Sequence, residues 1–322
     1  MLAQRAERFH FMRQQIDRTV VFQHVPKTAG STMRSLIQRF YAADKTYYLY
    51  DHQKYELLRR FQHLPQASRD AYELVLGHQA IKLIDYLSAP IVVTFLREPV
   101  RRVISLYYYA RDVRPDHPWH KTANEYSIDQ LYANGVDKEW GELSDGQASS
   151  LLSWPRFAEL VERTGWENTL RQLTSYPQPQ LLLGLTEYFD ESVLMLQRQL
   201  EWPRFPYYKK KNANRSKSRP LWVSEDTREL IIQHNPKDIA FYRAAGVVFE
   251  ENLGRQEKTD FPDLLRHFKH FPHGGHVGHV EVVAALLDLR LEEHLGVGDA
   301  GAVRQVPNGV LMLQRQGDEV QS

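Results

Sequence analysis

Short apolar runs alternate along the chain with stretches whose apolar residues recur every three or four positions. Runs at 19–22, 74–76, 91–95 and 180–185 are almost wholly apolar, the pattern of strands buried on both faces. The aromatic segment 46–50 reads as one more strand. Helical periodicity follows three of them: 31–42 after the first run, 100–111 after the run at 91–95, and a helix reaching about residue 200 after the last. Such alternation predicts βαβ units, a parallel sheet covered on both faces and right-handed crossovers. In sheets of this kind ligands sit outside the carboxyl ends of the strands.

Between these elements, 114–146 is polar and rich in Asp, Asn, His and Pro, and reads as an insertion that shapes a cleft or lid. A basic, aromatic loop occupies 202–220. Ser224 is placed as an N-cap with Glu225 and Asp226 in the first turn behind it. Another helix is expected over 236–250. The pattern loosens near residue 252, which divides the chain into a main domain, 1–252, and a C-terminal extension, 253–322, with one helix expected at 280–294.

Composition narrows the chemistry. A length of 322 residues suits two domains, or one large α/β domain with an appendage. The absence of cysteine excludes a disulfide scaffold, a thiolate-held cluster and a thiol nucleophile. A net charge of +1 speaks against a general nucleic-acid binder, although local patches can still take anions. No stretch reaches the ~18–20 apolar residues of a membrane span. The N-terminus has no apolar segment of the secretory kind, so with Met1 as native start the chain is expected in the cytoplasm.

The strongest local signal is FQHVPKTAGST at 22–32, a buried strand running through a tight loop into a helix. Ala29 and Gly30 let backbone N–H groups approach an anion, and the helix N-terminus adds its own donors. Lys27 supplies a point charge; Thr28, Ser31 and Thr32 supply hydroxyls. This is not a Walker A loop, where the lysine directly precedes the Ser/Thr. An ordinary turn with a surface lysine has the same local composition.

The run IVVTFLREPVRRVISLY at 91–107 places Arg97 at the end of an apolar strand and Pro99 at the start of a helix. Ser105 lies two turns into that helix. A guanidinium and a hydroxyl at one sheet edge can bind one phosphate together, whereas Arg97 taken alone favours a surface ion pair with Glu98 or a neighbour. Of Arg101 and Arg102, one is expected to face an acceptor and the other solvent. At 74–79, LVLGHQ puts His78 on the same rim. An imidazole, with an ordinary pKa of about 6.5, can take a proton from a hydroxyl near neutral pH. A strand-end histidine capping a carbonyl is the alternative. His52 and His24 are weaker rivals for the base, and His24 is expected to pack beneath the loop's ligand.

The sequence PKTAGST after a strand resembles the 5′-phosphosulfate loop of sulfotransferases, most of all the branch containing heparan sulfate and uronyl 2-O-sulfotransferases. The resemblance implies a P-loop-like α/β three-layer sandwich with a central, mostly parallel sheet and 3′-phosphoadenosine 5′-phosphosulfate (PAPS) as sulfate donor. The backbone of Thr28, Ala29, Gly30, Ser31 and Thr32 would hold the 5′-phosphate, with Lys27 beside the bridging oxygen. Arg97 and Ser105 would hold the 3′-phosphate, and His78 would be the general base. The implied acceptor is a hydroxyl on a carbohydrate, with no metal required and no nucleic-acid partner. The loop WPRFPYYKKKNANRSKSR at 202–219 suits a lid over the donor, with Asn214, Arg215 and Ser216 as its contacts, or simply a solvated basic face. An ATP-dependent phosphotransferase and a non-catalytic nucleotide- or polyanion-binding protein are the alternatives. The histidines at 267, 270, 273, 276 and 279 are interrupted by Pro and Gly and lack acidic partners, so no metal site is assigned to them.

Overall fold

The computed structural model describes residues 18–50, 54–175, 180–208, 223–256 and 259–270. At its centre lies a five-stranded sheet of β1 (Thr19–Gln23), β2 (Thr46–Leu49), β3 (Leu74–Gly77), β4 (Pro90–Leu96) and β5 (Leu181–Leu185). The strand order is β2-β3-β1-β4-β5 and every pairing is parallel. The apolar runs thus form the sheet, and it is wholly parallel.

β1 is central and buried at every position. Val20 and Phe22 join the core built with Met33 and Leu36 of α1 (Gly30–Ile37). Val21 and its neighbour Val75 turn the other way, against Leu58 and Phe61 of α2 (Lys54–Gln62). This period-two division of one strand between two layers makes a helix–sheet–helix sandwich. A short helix, α3 (Gln66–Asp70), leads into β3.

The chain leaves β1 toward β2 and leaves β4 toward β5, so the direction of progress reverses between adjacent strands β1 and β4. A crevice opens at such a switch point, outside the carboxyl ends of the two strands. The loops that follow β1 and β4 carry Lys27 and Arg97.

Helix α4 (Pro99–Tyr108) starts with proline at its first position, and the Glu98 carboxylate accepts the N–H groups of Val100 and Arg101. It passes into a π-helical turn, Tyr109–Val113. The segment expected as a polar insertion then folds into α5 (His120–Glu125), α6 (Ile128–Ala133) and α7 (Val136–Glu139). It has a core of its own, in which Leu131, Trp140 and Leu143 meet Val103 of α4 and Ile231 of α11 (Glu225–His234). The buried carboxylate of Asp137 accepts from Ser144 at 2.8 Å and pairs with His234 Nδ1 at 2.9 Å, tying α7 to α11. Ser224 caps α11 as expected, accepting from the Thr227 N–H.

Helices α8 (Gly146–Leu152) and α9 (Pro155–Leu173) precede β5, and α10 (Phe189–Gln199) follows it. Trp166 of α9 stacks on Phe241 of α12 (Pro236–Gln256) with ring centroids 4.9 Å apart. The division expected after residue 252 falls inside α12. Phe261 and Phe268 of α13 (Phe261–His270) are buried in the main core, and the compact unit extends over 1–274. The helix expected at 280–294 lies outside the described residues. Among the described residues, no helix is long and apolar enough to cross a membrane.

Candidate functional site

The loop after β1 is held in a conformation that L-residues seldom adopt. Lys27 and Ala29 have φ of 70° and 62°. Left-handed backbone at two non-glycine positions so close together stores strain of the order of 1–3 kcal/mol each, a burden typical of ligand-clamping segments. The Thr28 hydroxyl donates to the Val25 carbonyl at 2.9 Å and closes the turn from inside, so it is not directed outward as a ligand donor. Among the turn, loop and cap bonds of the described residues, the backbone N–H groups of Ala29, Gly30 and Ser31 have no acceptor. Three such donors at a helix start make a cradle of a kind that suits an anion. The Lys27 ammonium lies 3.8 Å from the ring centroid of Tyr109, a cation–π contact with the π-helical turn.

Below the cradle sits His24. A Cβ at Gly30 would stand 1.9 Å from the His24 ring, so the loop reaches its place only because residue 30 has no side chain. His24 Nδ1 pairs with the Tyr50 hydroxyl at 3.0 Å, and the Arg34 guanidinium caps the Tyr50 ring. Burial holds the His24 pKa well below its ordinary value of 6.5, and the neighbouring His78, Arg34 and Lys27 push the same way. His24 is therefore neutral support for the loop.

This has a measurable consequence. The folded state refuses a proton that the unfolded chain accepts below pH 6.5, so stability is full above that pH and is lost as pH falls from it toward the depressed native value. The slope from this group is up to about 1.4 kcal/mol per pH unit. Urea unfolding from pH 7.5 to 5 should show a shallower decline for His24→Gln than for the unsubstituted protein. Equal slopes would remove the assignment of His24 as a buried neutral group.

His78 follows Gly77 and is exposed on the rim. A Cβ at Gly77 would lie 2.4 Å from the Leu49 carbonyl oxygen, which explains the glycine. His78 Nδ1 donates to the His24 carbonyl at 2.8 Å, since a carbonyl only accepts. In the neutral ring this leaves Nε2 as the proton-accepting nitrogen. The His78 carbonyl accepts from Gln23 Nε2 at 2.8 Å, and Gln23 Oε1 accepts from the Ile81 N–H at 2.9 Å. The backbone of His78 is thus fixed from beneath, and its ring centroid is 4.4 Å from that of His24.

Arg97 extends from the end of β4 back to the first loop. Its Nη1 donates to the Lys27 carbonyl at 3.3 Å, across 70 residues of sequence. Burial lowers its pKa from the ordinary arginine value, and the nearby Glu187 carboxylate opposes that shift. Ser105 is on α4, half-buried, two turns along from Arg97. Arg101 is exposed, whereas Arg102 is fully buried: its Nε lies 3.6 Å from Asp238 Oδ2, and its Nη2 donates to the Glu142 carbonyl at 2.5 Å. Arg102 therefore faces neither an acceptor nor solvent. Asn214, Arg215 and Ser216 lie outside the described residues, as does His52.

Nothing in the sequence singles out Gln147, which holds Arg97 in place. The Gln147 side-chain amide accepts from the Arg97 N–H at 2.8 Å and donates to the Arg97 carbonyl at 2.9 Å. Glu187 accepts from the Glu98 N–H and from the Tyr242 hydroxyl. Thr186 donates to the Leu96 carbonyl at 2.9 Å. Thr186 and Glu187 follow β5 directly, at the carboxyl end of that strand. Among the described residues no cluster of His, Asp or Glu could hold a metal ion. His267 Nδ1 pairs with the Asp263 carbonyl, while residues 273–279 lie outside the described residues.

No family model and no curated protein matches the sequence.

Proposed function

We propose that this chain is a PAPS-dependent sulfotransferase that moves a sulfuryl group to a hydroxyl, with a carbohydrate as acceptor. One observation carries the reading: the two anion-binding motifs, far apart in sequence, converge at the β1–β4 switch point, with Arg97 donating to the backbone of Lys27. One donor molecule bearing phosphates at both ends of an adenosine suits such a paired site. The resemblance of PKTAGST to the 5′-phosphosulfate loop supplies the rest.

In the proposed reaction the acceptor oxygen attacks sulfur in line as the bond between sulfur and the 5′-phosphate oxygen breaks. His78 Nε2 takes the hydroxyl proton. The leaving 3′-phosphoadenosine 5′-phosphate keeps the electron pair, and its growing charge is met by the Lys27 ammonium and the N–H groups of the cradle. Donors of this kind are typically worth about 2.7–4 kcal/mol each in the transition state. Lysine, arginine and backbone N–H groups supply the neutralisation, so the scheme requires no metal.

Titration calorimetry decides the donor. The protein should bind 3′-phosphoadenosine 5′-phosphate and bind ATP with magnesium at least tenfold more weakly. The reverse preference would assign the site to a phosphotransferase instead.

A further inference from the structure

Arg97 occupies a position that the sheet cannot hold. The ladder between β1 and β4 ends at Gln23 and Thr94, and that between β4 and β5 ends at Leu185 and Leu96. Arg97 is the next residue, so neither neighbouring strand pairs with its N–H and C=O. The Gln147 amide does so instead, giving one acceptor and one donor to the same residue, as an adjacent strand would. Gln147 is itself 1% exposed. Its backbone N–H donates to Asp238 Oδ2 at 3.3 Å, and that of Ala148 to Asp238 Oδ1 at 2.7 Å. Asp238 in turn faces the buried guanidinium of Arg102, which sits on the helix that Arg97 precedes.

Building on the donor reading, we infer that Gln147 is a positioning residue for the anion site: its side-chain amide extends the sheet by one residue and so fixes the point from which the Arg97 guanidinium reaches the Lys27 loop. The residue type follows from the task. A glutamate has no donor for the Arg97 carbonyl, an asparagine is one methylene short, and an apolar side chain leaves both backbone groups of Arg97 without their partner. The Asp238–Arg102 pair anchors the base of the clamp.

The test compares the unsubstituted protein with Gln147→Met, which keeps the volume, with Arg97→Ala and with the double variant. Calorimetry with 3′-phosphoadenosine 5′-phosphate should show Gln147→Met weakening binding about 10- to 100-fold, and by no more than a few-fold when Arg97 is already alanine. Amide exchange by NMR on the free protein gives a second reading. The Arg97 N–H should lose protection in Gln147→Met. The Glu98 N–H, held by Glu187, should keep its protection. Loss at both amides would mean general loosening and overturn the inference. So would unchanged exchange at Arg97, unchanged affinity, or equal losses in both backgrounds. An unsubstituted protein that does not bind the nucleotide would sink the donor reading and the role of Gln147 in it together, and that failure shows before any variant is made.

Discussion

Replacing His78 with asparagine is expected to lower sulfuryl transfer by about 10²–10⁴-fold, the usual contribution of a positioned general base. Affinity for 3′-phosphoadenosine 5′-phosphate should stay within a few-fold of the unsubstituted protein. Asparagine is the informative choice because the ring has two jobs. Nδ1 donates to the His24 carbonyl, and a side-chain amide can keep that bond. Nε2 takes the proton in the proposed reaction, and asparagine has no group that can. Alanine removes both functions. Transfer of labelled sulfate from PAPS to a panel of uronic-acid polysaccharides should therefore fall alike in His78→Asn and His78→Ala. Near-normal transfer in His78→Asn, with loss only in His78→Ala, would make His78 a structural brace for the loop and end its assignment as the base.

The parts of this site that are legible in sequence are those whose partners are close along the chain. The loop around Lys27 can be read because strand, turn and helix N-terminus follow one another within a dozen residues. Arg97 and Pro99 can be read because a wholly apolar strand ends beside them. Gln147 is silent by comparison: it partners a residue 50 positions away, and the residue that holds its own helix start is 90 positions away from Ala148. An isolated glutamine in a polar stretch carries no sign of either contact. Arg102 misleads for a related reason. It stands next to exposed Arg101, but one helical step turns it about 100° toward the interior, where Asp238 waits.

The same limit explains the helices. Helix α9 is broken by Gly165 at φ 77°, which interrupts the periodicity that would reveal it. The insertion at 114–146 conceals its apolar residues among polar ones, because each of its short helices buries only a few side chains and shares its core with α4 and α11. By contrast, α10 and α11 show in the sequence, the second through its serine cap.

Removing the carboxylate of Asp238 should be the most damaging single change to stability away from the cradle. Two helices exchange caps here: Asp145, just before α8, accepts the N–H groups of Lys237 and Asp238 in α12, and Asp238 accepts those of Gln147 and Ala148 in α8. Asp238→Ala abolishes half of this exchange and leaves the Arg102 guanidinium buried, with both side chains of the pair at 0% exposure, without its counter-charge. Breaking one side of a buried pair costs about 3–5 kcal/mol. Burial pushes the Asp238 pKa above its ordinary 3.8, although Arg102 and the two N–H groups pull it back. A raised carboxylate contributes fully below pH 3.8 and less as pH rises through its native value, so the penalty of the alanine variant should be greatest at the acid end of that window. Urea unfolding followed by tryptophan fluorescence measures both effects. The variant Arg102→Met/Asp238→Asn supplies the decisive comparison: it removes both charges, keeps an acceptor for the Ala148 N–H, and should recover most of the lost stability. An Asp238→Ala loss below about 1 kcal/mol, or a double variant no better than the single one, would show that the paired charges do not set the energetics of this junction.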